Sequence, residues 1–233
     1  MSKLFLCGEG TSDFGTPEAQ HFGALGEIVL RRLTERTGDE TWRQRTSRFT
    51  HRDVPAEPTR RTNRTRRDGL SMEVPPPGDL CHLGDTCTHF VLFCLEKSAL
   101  GVFHSDVDFT NSRNGARRRE QVRNCLTMAI RRANGENSCI PVIPMPRTEA
   151  WLLRLAPECK MSAENIEELP GNDASPRSPK SLLRQWHYST GNHAESRSLI
   201  RLVDEQYNAD RLLKLSSFRE FDTALEGLLR RIK

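Results

Sequence analysis

Lysine is scarce in this chain. Only six of the 35 basic residues are Lys, which leaves 29 Arg. Arg presents a planar fork that grips phosphates bidentately. A GC-rich genome also raises Arg, so only its clustering counts. Aromatics make up 6%, with two Tyr among them. That argues against binding by stacked bases; in the basic part of the chain only Trp42 and Phe49 could stack. No apolar run approaches the ~20 residues that a membrane helix needs, and Met1 to Gly8 lacks a signal-peptide layout. Membrane-spanning and secreted classes are therefore disfavoured. The seven Cys form no C-x-x-C pair, so a structural zinc site is not indicated. Several lie inside apolar stretches and read as free thiols in a reducing cytoplasm.

With 233 residues, the chain suits one domain, or one domain with an appendage. Leu4 to Cys7 reads as a buried strand that stops at Gly8-Glu9-Gly10. Thr16-Pro17 reads as the opening of a helix, which carries an apolar stripe to about Gly38. Residues 41 to 79 hold nine Arg between Arg43 and Arg67 and close on Pro75 to Pro77. Apart from a short edge strand at Phe49 to Val54, they read as a basic, mobile insertion. A helical period runs from Asp79 through Leu80, Leu83, Cys87, Phe90, Val91, Cys94 and Leu95. Leu100 to Phe103 reads as a strand, Gly115 to Ala133 as a helix and Cys139 to Ile143 as a strand. Thr148 reads as the cap of a helix beginning at Glu149. Residues 157 to 180 read as a loop, and the chain from about Ser181 as helical. Alternating strands and helices predict an α/β fold with a mainly parallel, four-stranded sheet covered by helices on both faces. The expected division is 1–156 for the sheet domain and 157–233 for a helical C-terminal region.

Acids follow the strands. Glu9 ends the first, Asp106 and Asp108 end the strand after the insertion, and Glu149 opens the helix after the last. The carboxyl ends of parallel strands share one edge, where ligands bind. Converging carboxylates repel one another, and Mg²⁺ relieves that repulsion through hard oxygen ligands. Glu9, between two glycines, is expected to be unpaired. His104, beside Asp106, is expected to be packed or hydrogen-bonded. Arg43, Arg45, Arg48, Arg52, Arg60, Arg61, Arg64, Arg66 and Arg67 are candidate phosphate contacts, as are Arg117 to Arg119 and Lys180.

Glu9-Gly10-Thr11-Ser12-Asp13 after a first strand, with Asp106-Val107-Asp108 after a later one, resembles the Toprim domain of topoisomerases, primases and OLD-type nucleases. Pro144-Met145-Pro146-Arg147-Thr148-Glu149-Ala150-Trp151, with the later Pro179-Lys180, resembles one prokaryotic Toprim-like subgroup. That subgroup is often encoded beside ABC- or SMC-type ATPases and is linked with phage defence. The resemblance covers about residues 1 to 155. It implies Mg²⁺- or Mn²⁺-dependent phosphodiester hydrolysis of nucleic acid, DNA foremost. Glu9 would be the general base or acid, and Glu9, Asp13, Asp106 and Asp108 would be the metal ligands. Glu149 matches a later acid among the catalytic residues. Arg60, Arg61, Arg64, Arg66, Arg67, Arg117, Arg118 and Lys180 would meet the nucleic acid. An ATPase subunit is an implied partner, and homo-oligomerisation stays open. The Arg-rich insertion departs from the minimal domain, and neither Tyr188 nor Tyr207 is placed for topoisomerase chemistry. One alternative is a non-catalytic binding subunit that docks an ATPase through Phe218, Phe221, Leu225 and Leu228. Another is a haloacid-dehalogenase-like phosphatase, because Asp106 to Thr110 also fits a D-x-D-x-T opening with Asp106 as nucleophile. That family usually carries the motif on its first strand.

Overall fold

A computed structural model describes residues 2–15, 21–54, 78–107, 114–172, 174–187 and 192–231. The order is β1 (Leu4–Gly8), α1 (Thr11–Phe14), α2 (Ala24–Thr37), a 3₁₀ turn (Glu40–Arg45), β2 (Thr46–Thr50), α3 (Gly78–Glu96), β3 (Leu100–His104), α4 (Gly115–Arg132), β4 (Cys139–Val142) and α5 (Thr148–Leu155). Five helices complete it: α6 (Ala163–Glu167), α7 (Pro179–His187), α8 (Asn192–Gln206), α9 (Ala209–Leu212) and α10 (Ser216–Arg231). The sheet has four strands in the order β2-β1-β3-β4, and every pair is parallel. The fold is α/β, as the alternation of periods predicts.

Period-two alternation divides the strand side chains between two cores. Leu4, Leu6, Leu100, Val102, Ile140 and Val142 face one layer, with α2, α5 and α10. Phe5, Cys7, Phe103 and Cys139 face the other, with α3 and α4. The helical C-terminal region belongs to the first core: Phe218, Phe221, Leu225 and Leu228 are all buried, and Trp151 packs edge-on against Phe218. A docking face made of those four residues is thereby excluded, because an amphipathic stripe that covers the chain's own sheet has nothing left to offer a partner. The described cysteines are free thiols, all buried except Cys81.

Several boundaries differ from the sequence reading. The long helix begins at Ala24 rather than at Thr16-Pro17, and residues 16–20 lie outside the described ones. It does end at Gly38, which takes the left-handed cap conformation at φ 68°. The edge strand lies at Thr46–Thr50, set in register by Leu4 opposite Thr46. The stretch read as a loop holds α6 and the start of α7; Ser162 caps α6 and Ile166 buries it. No helix of the described residues is long and apolar enough to cross a membrane.

Candidate active site

Because all four strands are parallel, β1, β3 and the β4–α5 connection deliver their ends to the same rim. β1 stops at Gly8, where a Cβ would stand 3.0 Å from the Asp13 side chain and from the Phe14 ring. Only glycine lets α1 close onto the strand there. Glu9 follows, exposed, and reaches across to β3. Its Oε1 accepts from the Ser105 hydroxyl at 2.7 Å and from the Asp106 backbone N–H at 2.9 Å. Glu9 is therefore held by the next strand, contrary to the expectation that it would be unpaired. The flanking glycines supply no side chain, but the strand two βα units later supplies both donors.

Asp106 is the most heavily engaged acid. Its Oδ1 accepts from the Thr148 N–H at 2.9 Å and the Thr148 hydroxyl at 3.3 Å, and lies 3.1 Å from His104 Nε2. Its Oδ2 faces Arg147 Nε at 3.4 Å. Burial alone would lift its pKa, yet His104, Arg147 and the Thr148 N–H together hold it below the usual carboxylate value. Thr148 is the first residue of α5, with Arg147 in the cap position. Its side chain serves Asp106 instead of capping the helix, which corrects the sequence reading.

His104 is fully buried between two acids, its Nδ1 3.3 Å from Asp13 Oδ2. Burial pushes its pKa down, but the charges of Asp13 and Asp106 outweigh that and raise it well above the ordinary histidine value. Asp13 also accepts from the Gly10 N–H at 3.0 Å. Asp13 and Asp106 thus clasp a protein cation between them.

Glu149 completes the rim. Its Oε2 lies 3.9 Å from Arg147 Nε, and its side chain keeps 20% exposure. Burial first, then the charge of Asp106, pushes its pKa up to about 7, while Arg147 and Lys180 pull the other way. Lys180, in the first turn of α7, is thus within electrostatic reach of Glu149.

Other expected residues fall elsewhere. Asp108, Arg60, Arg61, Arg64, Arg66 and Arg67 lie outside the described residues. Arg43 forks onto Glu27, Arg45 pairs with Asp39 over the Trp42 ring, and Arg48 donates to the His21 carbonyl at 2.7 Å. These three bind the first part of the basic stretch to α2 and the sheet, so they are not open phosphate contacts. Trp42 is buried and Phe49 packs against Phe5 and Phe93, so neither ring can stack on a base. Arg117 and Arg118 stand in the first turn of α4, while Arg119 turns away to Glu220 of α10 at 3.0 Å.

The sequence reading missed three contributors. Ser105 and Thr148 orient the acids, and their hydroxyls carry no signal without the three-dimensional pairing. His51, just past β2, stacks on Phe103 at 4.6 Å, and its Nε2 reaches the His104 carbonyl at 3.0 Å. Its ring thereby spans the end of β1 from one neighbouring strand to the other. A carbonyl only accepts, so Nε2 carries the proton.

No family model matches the chain, nor does any curated protein or solved structure.

The donor set fits a hard divalent cation in kind. It is all oxygen, and the mutual repulsion of Asp106 and Glu149 is of the sort that such a cation removes. Among the described residues no three His, Cys, Asp or Glu side chains close into a cage. Glu9, Glu149 and the Asp106 Oδ2 are the better placed holders, since Asp13 and the Asp106 Oδ1 are committed to His104, Gly10 and Thr148.

Proposed function

We propose that this rim is the active site of a Toprim-like, divalent-metal-dependent nuclease that hydrolyses nucleic-acid phosphodiester bonds. One observation carries the reading. The Glu9 carboxylate is tied to Ser105 and Asp106, with Glu149 beside them, so acids from three separate chain segments meet at one sheet edge. Glu9, Asp106 and Glu149 would hold Mg²⁺ or Mn²⁺, with Asp108 added by the resemblance. The bound ion would polarise the phosphate and lower the pKa of a water.

The chain's own groups have distinct tasks. Two donors on Glu9 Oε1 fix the carboxylate's direction, so that it can orient the attacking water or take its proton. Ser105 and the Asp106 N–H thus act on the base before substrate arrives. Thr148 and His104 hold Asp106 in one rotamer. Arg147 and Lys180 face the developing charge on the phosphate. An ABC- or SMC-type ATPase partner and a role in phage defence enter this reading through the resemblance alone.

The test is nicking of supercoiled plasmid with Mg²⁺ or Mn²⁺, beside Mn²⁺ titration followed by electron paramagnetic resonance. Wild type should nick and take up Mn²⁺. Glu9→Ala should lose at least a hundredfold in rate while keeping its fold by circular dichroism. Equal nicking by wild type, Glu9→Ala and Asp106→Ala would place the activity elsewhere. Failure of wild type to bind Mn²⁺ would end the proposal.

A further inference from the structure

Helix α4 follows β3 and leads back to β4, so it starts at the carboxylate rim and runs away from it. Val122, Cys125, Leu126, Ala129 and Ile130 bury one face. The opposite face is basic along its whole length. Arg117, Arg123, Arg131 and Arg132 are exposed there, and Glu120 is the one acid among them. Residues seven apart nearly superpose on a helix, so Arg117, Asn124 and Arg131 line up along the crest. From Arg117 to Arg131 the crest runs about 21 Å, at about 1.5 Å per residue.

These arginines are employed differently from their neighbours. Arg119 keeps 13% side-chain exposure and is committed to Glu220 and Ser216. Arg123 lies 3.7 Å from Glu220 yet stays 46% exposed. Arg117, Arg131 and Arg132 form no ion pair with a described residue. The first turn of the helix contains no acid, and Asn114 makes no side-chain cap bond. Positive charge there opposes the helix dipole, and like charges along one face repel. Arg131 and Arg132, in the last turn, stand where the dipole favours positive charge, but at the first turn folding alone would favour a different surface, and a polyanion laid along the face would relieve that cost and the repulsion.

We propose that the outer face of α4 is a track for the phosphate backbone of a nucleic-acid strand, leading it to the carboxylate rim. This rests on the nuclease reading above and adds to it a path for the substrate. The crest matches about six base steps of about 3.4 Å. Guanidinium–phosphate contacts of this kind set position and carry no sequence information, so the track takes any phosphodiester polymer of suitable shape.

The experiment measures binding without cleavage, by fluorescence anisotropy in chelator, using a labelled DNA duplex and a labelled single-stranded RNA of equal length. The triple variant Arg117→Gln/Arg131→Gln/Arg132→Gln changes only exposed side chains. A charge-matched control, Lys97→Gln/Lys160→Gln/Arg201→Gln, removes as much charge away from α4. For the duplex, the slope of log affinity against log salt should flatten by about 2.7 in the triple variant, at about 0.9 per lost phosphate contact. For single strands the change should be about 2.1. Whichever probe shows its change identifies the strand the track takes. The control should keep the wild-type slope. A triple variant with the wild-type slope overturns the track, as does a control that falls equally, and so does a wild type that binds neither probe. Nicking and Mn²⁺ uptake by wild type would decide the rim separately in each of those cases.

Discussion

Asp222 and the acids Asp106 and Glu149 of the rim are both withdrawn from water, and they keep opposite company. Asp222 on α10 is met by Arg32 at 2.6 Å and by Arg36, both from α2. Burial would raise its pKa, but the two guanidiniums win and lower it. At the rim, Asp106 and Glu149 face each other with Arg147 near both, and Glu149 is pushed up to about 7. Asp222 takes two cations, Arg32 shared with Glu35 and Arg36 lying near Glu226, and is satisfied by the fold. At the rim the acids share their partners, Arg147 lying near both Asp106 and Glu149. A buried acid with a full set of partners reads as scaffold, while acids crowded against one another read as a place made for a ligand.

That contrast can be broken by experiment, beginning with the largest effect. Asp222→Ala should lower the free energy of unfolding by about 3 kcal/mol, since it takes the two-point partner from the buried Arg32 guanidinium and leaves it only Glu35. Urea denaturation at neutral pH measures this, and a change below about 1 kcal/mol would mean that the pairing is dispensable. His51 gives an intermediate effect, visible as a pH slope. Burial lowers its pKa from 6.5 to about 4 in the fold. Between those values the unfolded chain binds a proton that the folded one refuses, so this contribution is intact above 6.5 and is lost as pH falls toward 4. His51→Phe, which keeps a ring on Phe103, should show a shallower loss of stability between pH 6.5 and 4.5 than wild type; parallel curves would refute the assignment.

Glu149→Gln should have the smallest effect on stability, and of the opposite sign. A carboxyl raised to about 7 favours the fold below 4.5 and loses that contribution as pH rises through 7. At pH 8 the amide should therefore gain about 1 kcal/mol, less than the whole shift implies because the side chain keeps 20% exposure. The same variant should bind Mn²⁺ more weakly. A variant that loses both stability and metal affinity would place Glu149 with Asp222, among the scaffold acids.

Elements built by local pattern were legible in the residues. The stripe from Leu80 to Leu95 gave α3, including Phe90 to Leu95, which could pass for a strand. The strands at Leu4, Leu100 and Cys139 and the helix from Gly115 stand where their apolar runs put them. Features that depend on partners distant in sequence were not legible. The 3₁₀ turn before β2 exists because Trp42 is buried and Arg43 reaches Glu27, sixteen residues back. Its arginines look the same on paper as the exposed ones of α4. The convergence of Glu9, Asp106 and Glu149 followed from strand order alone, whereas the clasp of Asp13 and Asp106 on His104 needed coordinates. The stripe on α10 announced burial without saying against what.

The placement of β1 has a consequence for how the chain can assemble. Residues 4–8 occupy an interior lane of the sheet, beside residues 46–50 on one flank and 100–104 on the other. Residues 4–8 must therefore wait for about a hundred further residues before both edges are covered, and such distant pairings slow the search for the native state. An apolar ribbon left bare for that long invites association with other chains, which suits this protein to chaperone-assisted production better than to rapid refolding from urea.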